Sequence, residues 1–411
     1  MRPPASVRAS SVLKKVRVLI VEDSVVQRKI LRMALEGHPQ IEVVGHASNG
    51  QLALDRIALG EVDVITLDLE MPVMGGLEVL KHLKGKRPQL GAIVVSALSQ
   101  QGARASMEAM RLGAFDLITK PNSGAGLDTV IQALQAQLVP LVLACGEFVQ
   151  RLRSGGRGPG SAGAVPPVRG QQRPPIRRPM PPRQAGQPIQ PSTAEEPQAP
   201  LPSRTVPSRG MVAKSKVPPA LMLIGSSTGG PQALETVLSR LPGNLPIPVL
   251  IVQHMPPLFT QTLAESLDKK CALHVMEAKN GQPLRAGEIL IAPGGHHMKV
   301  RRQGAGMGVQ ITNDPPERSC RPSVDYLFRS ASELTGGRTV AAILTGMGDD
   351  GTAGCRLLQA KGAHIIAQDE QSCVVFGMPK LLVTEGIADA VLPLTEIADE
   401  LARSCRRGVK R

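Results

Sequence analysis

A serine framed by glycines, a histidine just past an apolar run and two adjacent aspartates in a second glycine-rich turn are the residues here whose types and spacing could carry out acyl transfer. Gly225-Ser226-Ser227-Thr228-Gly229 fits G-x-S-x-G, with Ser227 rather than Ser226 at the centre. The apolar run 221–224 precedes it, and Pro231 can open a helix at its first turn. A strand, a tight turn and a helix would hold the serine hydroxyl at the end of a sheet. Glycines on both sides permit positive φ and close approach of a substrate, and nearby backbone N–H groups could face a developing oxyanion. Turns of this kind also bind phosphates or merely connect elements, so the serine needs partners.

His254 is one candidate, because it follows the apolar strand expected at 247–252 and so reaches the same sheet edge as Ser227. A lone histidine also serves purely structural ends. Asp349 and Asp350 follow the run 340–345 within Gly346-Met347-Gly348-Asp349-Asp350-Gly351. One of them could fix the tautomer of His254 while the other caps the next helix, and the residues alone do not say which.

A second group lies nearer the N-terminus. Glu22 and Asp23 end the apolar run 16–21, Asp68 ends 62–67, Ser96 ends 92–96, and Lys120 ends 114–119. Clustered carboxylates make an oxygen-rich site for Mg²⁺, and a carboxylate can act as a nucleophile toward phosphorus. Lys120 and the Ser96 hydroxyl could contact phosphoryl oxygens. The plainer alternative is that such residues cap strand ends for solubility.

These residues must be positioned by strands alternating with helices. Residues 16–142 show five strands, with helices expected at about 77–83, 103–112 and 127–143, which predicts a parallel sheet covered on both faces. Residues 220–405 repeat the alternation and predict a second α/β domain with a mostly parallel sheet. Residues 1–15 form a leader, 143–219 a Pro/Gly/Arg-rich linker and 406–411 a basic tail. His296 and His297 would point to opposite faces of a strand, a poor metal pair, and are read as loop residues bordering the cleft.

Composition narrows the classes further. The chain has 42% hydrophobic residues, no Trp, one Tyr and five Phe, so its cores are aliphatic. It shows no apolar run of the length that crosses a bilayer, and its basic N-terminus lacks the apolar segment of a secretory signal. The six cysteines form no C-x-x-C pair, which fits reduced thiols in the cytoplasm. The net charge of +14 would point to nucleic acid, but between Arg151 and Pro219 twelve basic residues face two acids, so the excess sits mainly in the linker. With no aromatic interleaved for base stacking, a plain tether is favoured over an RNA-binding or membrane-attracted one.

Val21-Glu22-Asp23-Ser24, Asp68-Leu69-Glu70-Met71-Pro72 with Gly75-Gly76, and Lys120-Pro121 resemble the receiver domain of two-component response regulators. The resemblance implies Asp68 as phosphoacceptor, Ser96 (where Thr is frequent) and Lys120 as switch residues, and Mg²⁺ held by Glu22, Asp23, Asp68 and the Glu70 backbone. The second half carries Ile224-Gly225-Ser226-Ser227-Thr228-Gly229-Gly230, Gln253-His254-Met255-Pro256-Pro257, Arg321-Pro322-Ser323-Val324-Asp325 and Gly346-Met347-Gly348 with Asp350-Gly351. These are similar to the CheB-type chemotaxis methylesterases. That resemblance implies a Ser227–His254–Asp350 triad, with Thr228, Gly229 and Met347 at the oxyanion side of the cleft and no cofactor for the ester chemistry. It also implies methyl-accepting chemotaxis receptors as substrate, a chemotaxis histidine kinase as phosphodonor, and a cytoplasmic protein that can be recruited to membrane receptor arrays. Gln261, Cys320 and Asp349 stand where relatives frequently have arginine, histidine and asparagine. Two rivals compete: a DNA-binding response regulator, which would need a helix-turn-helix, and a nucleotide-binding module, which lacks the P-loop lysine.

Overall fold

The computed structural model describes residues 15–60, 62–87, 89–120, 126–154 and 217–406. The leader up to residue 14, Pro121, most of the linker and the tail beyond Arg406 lie outside the described residues.

In the first half, β1 (Val16–Val21), β2 (Ile41–Ala47), β3 (Val64–Asp68), β4 (Gly91–Ser96) and β5 (Asp116–Thr119) alternate with α1 (Val25–Leu35), α2 (Gly50–Ala58), α3 (Gly76–Leu83), α4 (Gln100–Leu112) and α5 (Leu127–Arg153). The sheet order is β2-β1-β3-β4-β5, and every pairing is parallel. β3 and β4 are buried along their whole length, as a sheet covered on both faces requires. Ser24, Asn49 and Ser99 start α1, α2 and α4 by accepting backbone N–H bonds from Gln27, Leu52 and Gly102.

The helix expected at 127–143 is longer: α5 runs through Pro140 to Arg153. The sequence reading carries the helix past Pro140 and ends it at residue 143. The buried stripe nevertheless continues through Val142, Cys145 and Val149. Cys145 fills the space above Gly91, where an added Cβ would lie 2.1 Å from its sulfur. Arg153 then joins Arg17 on the Asp63 carboxylate. By length and composition alone α5 could cross a membrane, a departure from the expectation of no such segment, but its apolar stripe is spent on the sheet.

The second half contains β6 (Leu221–Ser226), α6 (Gly230–Leu238), β7 (Val249–Gln253), α7 (Phe259–Asp268), β8 (His274–Glu277), β9 (Glu288–Ile291), β10 (His297–Gln303), β11 (Gly306–Thr312), α8 (Val324–Thr335), β12 (Thr339–Ile343), α9 (Thr352–Ala360), β13 (His364–Gln368), α10 (Met378–Thr384), β14 (Ala390–Leu392) and α11 (Leu394–Arg406). Seven strands form a parallel sheet in the order β14-β13-β12-β6-β7-β9-β8. After β6 the chain builds outward to one side, then returns to add β12, β13 and β14 on the other. β6 is therefore the switch point, where open parallel sheets place their ligands.

β10 and β11 form a separate antiparallel hairpin. This corrects the reading of His297 as a loop residue. It begins β10 fully buried, stacks on Tyr326 at 4.3 Å between ring centroids, and shares a 3.0 Å hydrogen bond with the Pro315 carbonyl. Its neighbour His296, in the turn before β10, is exposed.

The two halves pack through α4 and α5. Met107 and Met110 of α4 share a buried apolar cluster with Phe259 and Leu263 of α7, and Val374 joins the cluster under α5. Gln232 of α6 donates to the carbonyls of Met110 and Ala114, and Arg151 donates to the Val374 carbonyl at 2.6 Å.

Candidate active site

Three adjacent strands deliver the acyl-transfer candidates. Ser226 and Gln253 are register partners on β6 and β7, so Ser227 and His254 are the next residues off neighbouring strand ends. A buried amide clamps them. Gln253 accepts from the Ser226 hydroxyl at 2.7 Å and donates to the carbonyls of Ser227 at 2.9 Å and His254 at 3.3 Å. Ser226 is thereby consumed, while Ser227 next to it is only half-buried. Sequence reasoning missed Gln253, whose only signal was a polar residue ending an otherwise apolar strand.

The turn after Ser227 is forced by glycine. Gly229 has φ of 76°, and a Cβ on Gly230 would lie 1.9 Å from the Gln253 amide oxygen. β12 supplies the other wall, where the Ser227 N–H donates to the Thr345 carbonyl at 3.1 Å. An added Cβ on Gly346 would lie 2.9 Å from the Ser227 Cβ. Met347 therefore follows directly on the backbone that brushes the serine. Thr228, Gly229 and Met347 border this spot on two sides, and their backbone N–H groups have no hydrogen-bond partner among the described residues.

The pair of aspartates divides its work. His254 Nε2 bonds Asp350 Oδ2 at 2.8 Å, whereas Asp349 faces Arg318. Asp350 also accepts from the Ser323 hydroxyl at 3.0 Å and the N–H groups of Val324 at 2.7 Å and Asp325 at 2.9 Å, at the start of α8. Asp325 returns the arrangement by accepting from the Gly354 N–H in the first turn of α9 at 2.7 Å. Asp350 thus satisfies the start of α8, whereas α9, the next helix, begins at Gly351 with no side-chain cap, so neither aspartate caps it as expected.

Electrostatics follow from this wiring. Burial would raise the Asp350 carboxyl, but the His254 hydrogen bond and charge and the N–H groups of Asp325 and Val324 hold it below the usual carboxylate range. Burial would lower the His254 imidazole; its bond to Asp350, together with the nearby Cys320 sulfur, raises it to about 9 instead. An ionised acid on Nε2 leaves Nδ1 as the nitrogen able to take a proton.

The second site forms at the switch between β1 and β3. Ligand atoms of Glu22, Asp23 and Asp68 lie within 4.8 Å of one another. Lys120 Nζ donates to Asp68 at 2.7 Å and to Glu22 at 3.3 Å. Burial and the neighbouring Asp68 charge raise the Glu22 carboxyl, with Lys120 opposing. Lys120 is raised as well, its two acids outweighing burial. Glu22 Oε2 is buried without a hydrogen bond of good geometry, although Lys120 Nζ stands 3.1 Å away. Crowded, under-satisfied carboxylate oxygens fit a hard divalent cation. The Glu70 N–H donates to Asp68 at 3.3 Å. The Ser96 hydroxyl donates to the Gly102 carbonyl of α4 at 3.2 Å.

Asp116, at the far end of β5 from Lys120, faces the esterase half. Burial pushes its carboxyl up to about 6, against the opposing pull of the Thr228 hydroxyl and the Leu117 N–H. A titratable group of one domain thus touches the residue that follows Ser227 in the other.

Both halves of the chain match known families. Residues 222–401 match the CheB methylesterase family, and residues 18–132 match the response regulator receiver domain. A protein-glutamate methylesterase/protein-glutamine glutaminase of Desulfotalea psychrophila is 43% identical over 96% of this chain and 100% of its own length. One from Halalkalibacterium halodurans is 39% identical over 96% of this chain and 99% of its own. The solved catalytic domain of Thermotoga maritima CheB methylesterase is 42% identical, covering 46% of this chain and 99% of its own, with a TM-score of 0.45. With a receiver sheet in front, a methylesterase sheet behind, and relatives aligned across nearly the whole length, the chain belongs to the CheB family of receiver-linked methylesterases.

Proposed function

We propose that this chain is a chemotaxis response regulator that hydrolyses glutamyl γ-methyl esters, and deamidates selected glutamines, on methyl-accepting chemoreceptors. The observation that supports it most is the His254–Asp350 pair set on the strand ends beside Ser227. Ser227 Oγ attacks the ester carbonyl, and His254 Nδ1 takes the serine proton while Nε2 stays on Asp350. Backbone N–H groups of Thr228, Gly229 and Met347 receive the oxyanion. Methanol, or ammonia from a glutamine, leaves with the proton returned by His254. Water then attacks the acyl-serine, with His254 again as base, and releases glutamate. No cofactor is needed for these steps.

Asp68 is the phosphoacceptor, Lys120 contacts the transferred group, and the Ser96 hydroxyl turns from Gly102 toward it. Glu22, Asp23, Asp68 and the Glu70 carbonyl would hold Mg²⁺, which when bound would supply charge neutralisation for phosphoryl transfer. A chemotaxis histidine kinase serves as donor. The docked α4–β5–α5 face restrains the esterase, and phosphorylation shifts the population toward release. The protein works in the cytoplasm, recruited to membrane receptor arrays, and needs no nucleic acid.

Methanol release from methylated receptor, with and without acetyl phosphate and Mg²⁺, tests this reading. Wild type should be stimulated, and Asp68→Asn or EDTA should abolish the stimulation while leaving basal release intact. Stimulation that survives Asp68→Asn would reject the phosphoacceptor assignment.

Asp116 adds a pH dependence to docking. Its carboxyl is raised in the docked state, so its contribution is complete below its ordinary pKa near 3.8 and is lost as pH rises through about 6. Asp116→Asn mimics the protonated acid, and basal release at neutral pH should fall several-fold. Unchanged basal release with an unchanged pH profile would separate this contact from regulation.

A further inference from the structure

The proton-accepting nitrogen of His254 faces a thiol. Cys320 Sγ lies 3.7 Å from His254 Nδ1, on the ring edge opposite Asp350. A costly turn brings it there. Glu317 and Cys320 exchange backbone hydrogen bonds, 3.1 Å and 2.7 Å long, across Arg318 with φ of 49° and Ser319 with φ of 62°. Two successive non-glycine residues in the left-handed region persist only where the surroundings hold them. Here Arg318 is held by Asp325 and Asp349, and Glu317 by Arg329.

The other cysteines differ. Cys145, Cys355, Cys373 and Cys405 are buried. Cys271 is half-exposed, but burial and then the charges of Asp268 and Glu235 push its thiol up to about 11. Cys320 alone among the six combines partial exposure with an imidazole neighbour, the setting that makes a thiol reactive.

We propose that Cys320 is a positioning residue of the esterase: its thiol holds Nδ1 of His254 in the resting enzyme and yields it to Ser227 when substrate binds. This rests on His254 being the general base. The titratable groups facing His254 are Asp350, from the loop after β12, and Cys320, from the turn before α8; Asp325 and Arg318 stand one contact further out. Because the sulfur helps to hold a proton on the ring, its removal should free the base at lower pH.

The test compares kcat/KM for methanol release against pH in the full-length wild type, Cys320→Ser and Cys320→Ala. The acid limb should move down by about one pH unit in Cys320→Ala, the usual scale of a single-neighbour perturbation, and by less in Cys320→Ser, whose hydroxyl can still accept from the Nδ1–H. In unsubstituted protein, iodoacetamide should alkylate Cys320 before Cys271, forming the S–C bond with loss of iodide and transfer of the thiol proton to His254 or water. Activity should be lost in step, and Cys320→Ser should resist. An acid limb unmoved in both variants overturns the proposal, as does faster labelling of Cys271. His254→Gln distinguishes the two levels, since full activity in that variant would remove the base assignment itself.

Discussion

Ser227→Ala in the full-length chain is expected to release methanol at least about a thousandfold more slowly than wild type, a loss of roughly 4 kcal/mol or more of transition-state stabilisation. Removing the hydroxyl deletes the covalent route and leaves only binding and oxyanion donors, which elsewhere retain modest rate enhancement. The neighbouring serine cannot substitute, because its hydroxyl is committed to Gln253 inside the strand. Ser226→Ala therefore makes a sharp control: it should loosen the clamp between β6 and β7 and cost less than about tenfold. A Ser227→Ala enzyme near wild-type rate, or a larger loss in Ser226→Ala, would move the nucleophile elsewhere. In the active enzyme the acid limb of kcat/KM should lie above that of an ordinary histidine, since His254 must lose a proton that Asp350 helps it keep.

Asp350→Asn should damage rate and stability together. By analogy with amide replacement in other triads the rate falls by about ten-thousandfold, because the amide no longer enforces Nε2–H or stabilises the imidazolium. The acid limb of the residual activity should shift to lower pH as the raised histidine relaxes. The same carboxylate accepts from Ser323, Val324 and Asp325, and an amide has one oxygen for these donors. An unmet buried donor costs about 1–3 kcal/mol, so thermal unfolding of the esterase half should come several degrees earlier. The pH dependence has a definite sign. A carboxyl lowered by folding contributes stability above its ordinary pKa near 3.8, and that contribution is lost as pH falls through the lowered value. Wild type and Asp350→Asn should therefore converge in stability under strongly acid conditions. A variant equal to wild type in both rate and unfolding temperature would overturn the double role.

Much of this was legible in the residues because parallel sheets write themselves as apolar runs ending in function. Runs terminating at Asp68, Ser96, Ser227 and His254 mark the strand ends at which the structure gathers these side chains. The division of labour between Asp349 and Asp350 was not legible, since adjacent residues share every local property and only the approach of α8 and His254 tells them apart. Gln253 and Thr345 were invisible because their roles are contacts across strands distant in sequence. The end of α5 was missed because Gly91 and Gly146, which let the helix sit close to the sheet, are meaningful only once the sheet exists. His297 failed for a related reason: a histidine next to Gly-Gly reads as a turn, and only its stacking on Tyr326 makes it core.

β5 carries one more implication. It is four residues long, with Lys120 gripping the Asp68 carboxylate just past one end and Asp116 meeting Thr228 at the other. At about 3.3 Å per residue such a segment works as a rigid pushrod of little more than a nanometre. Asp68 and the neighbour of Ser227 are thus bracketed by the two ends of a single strand.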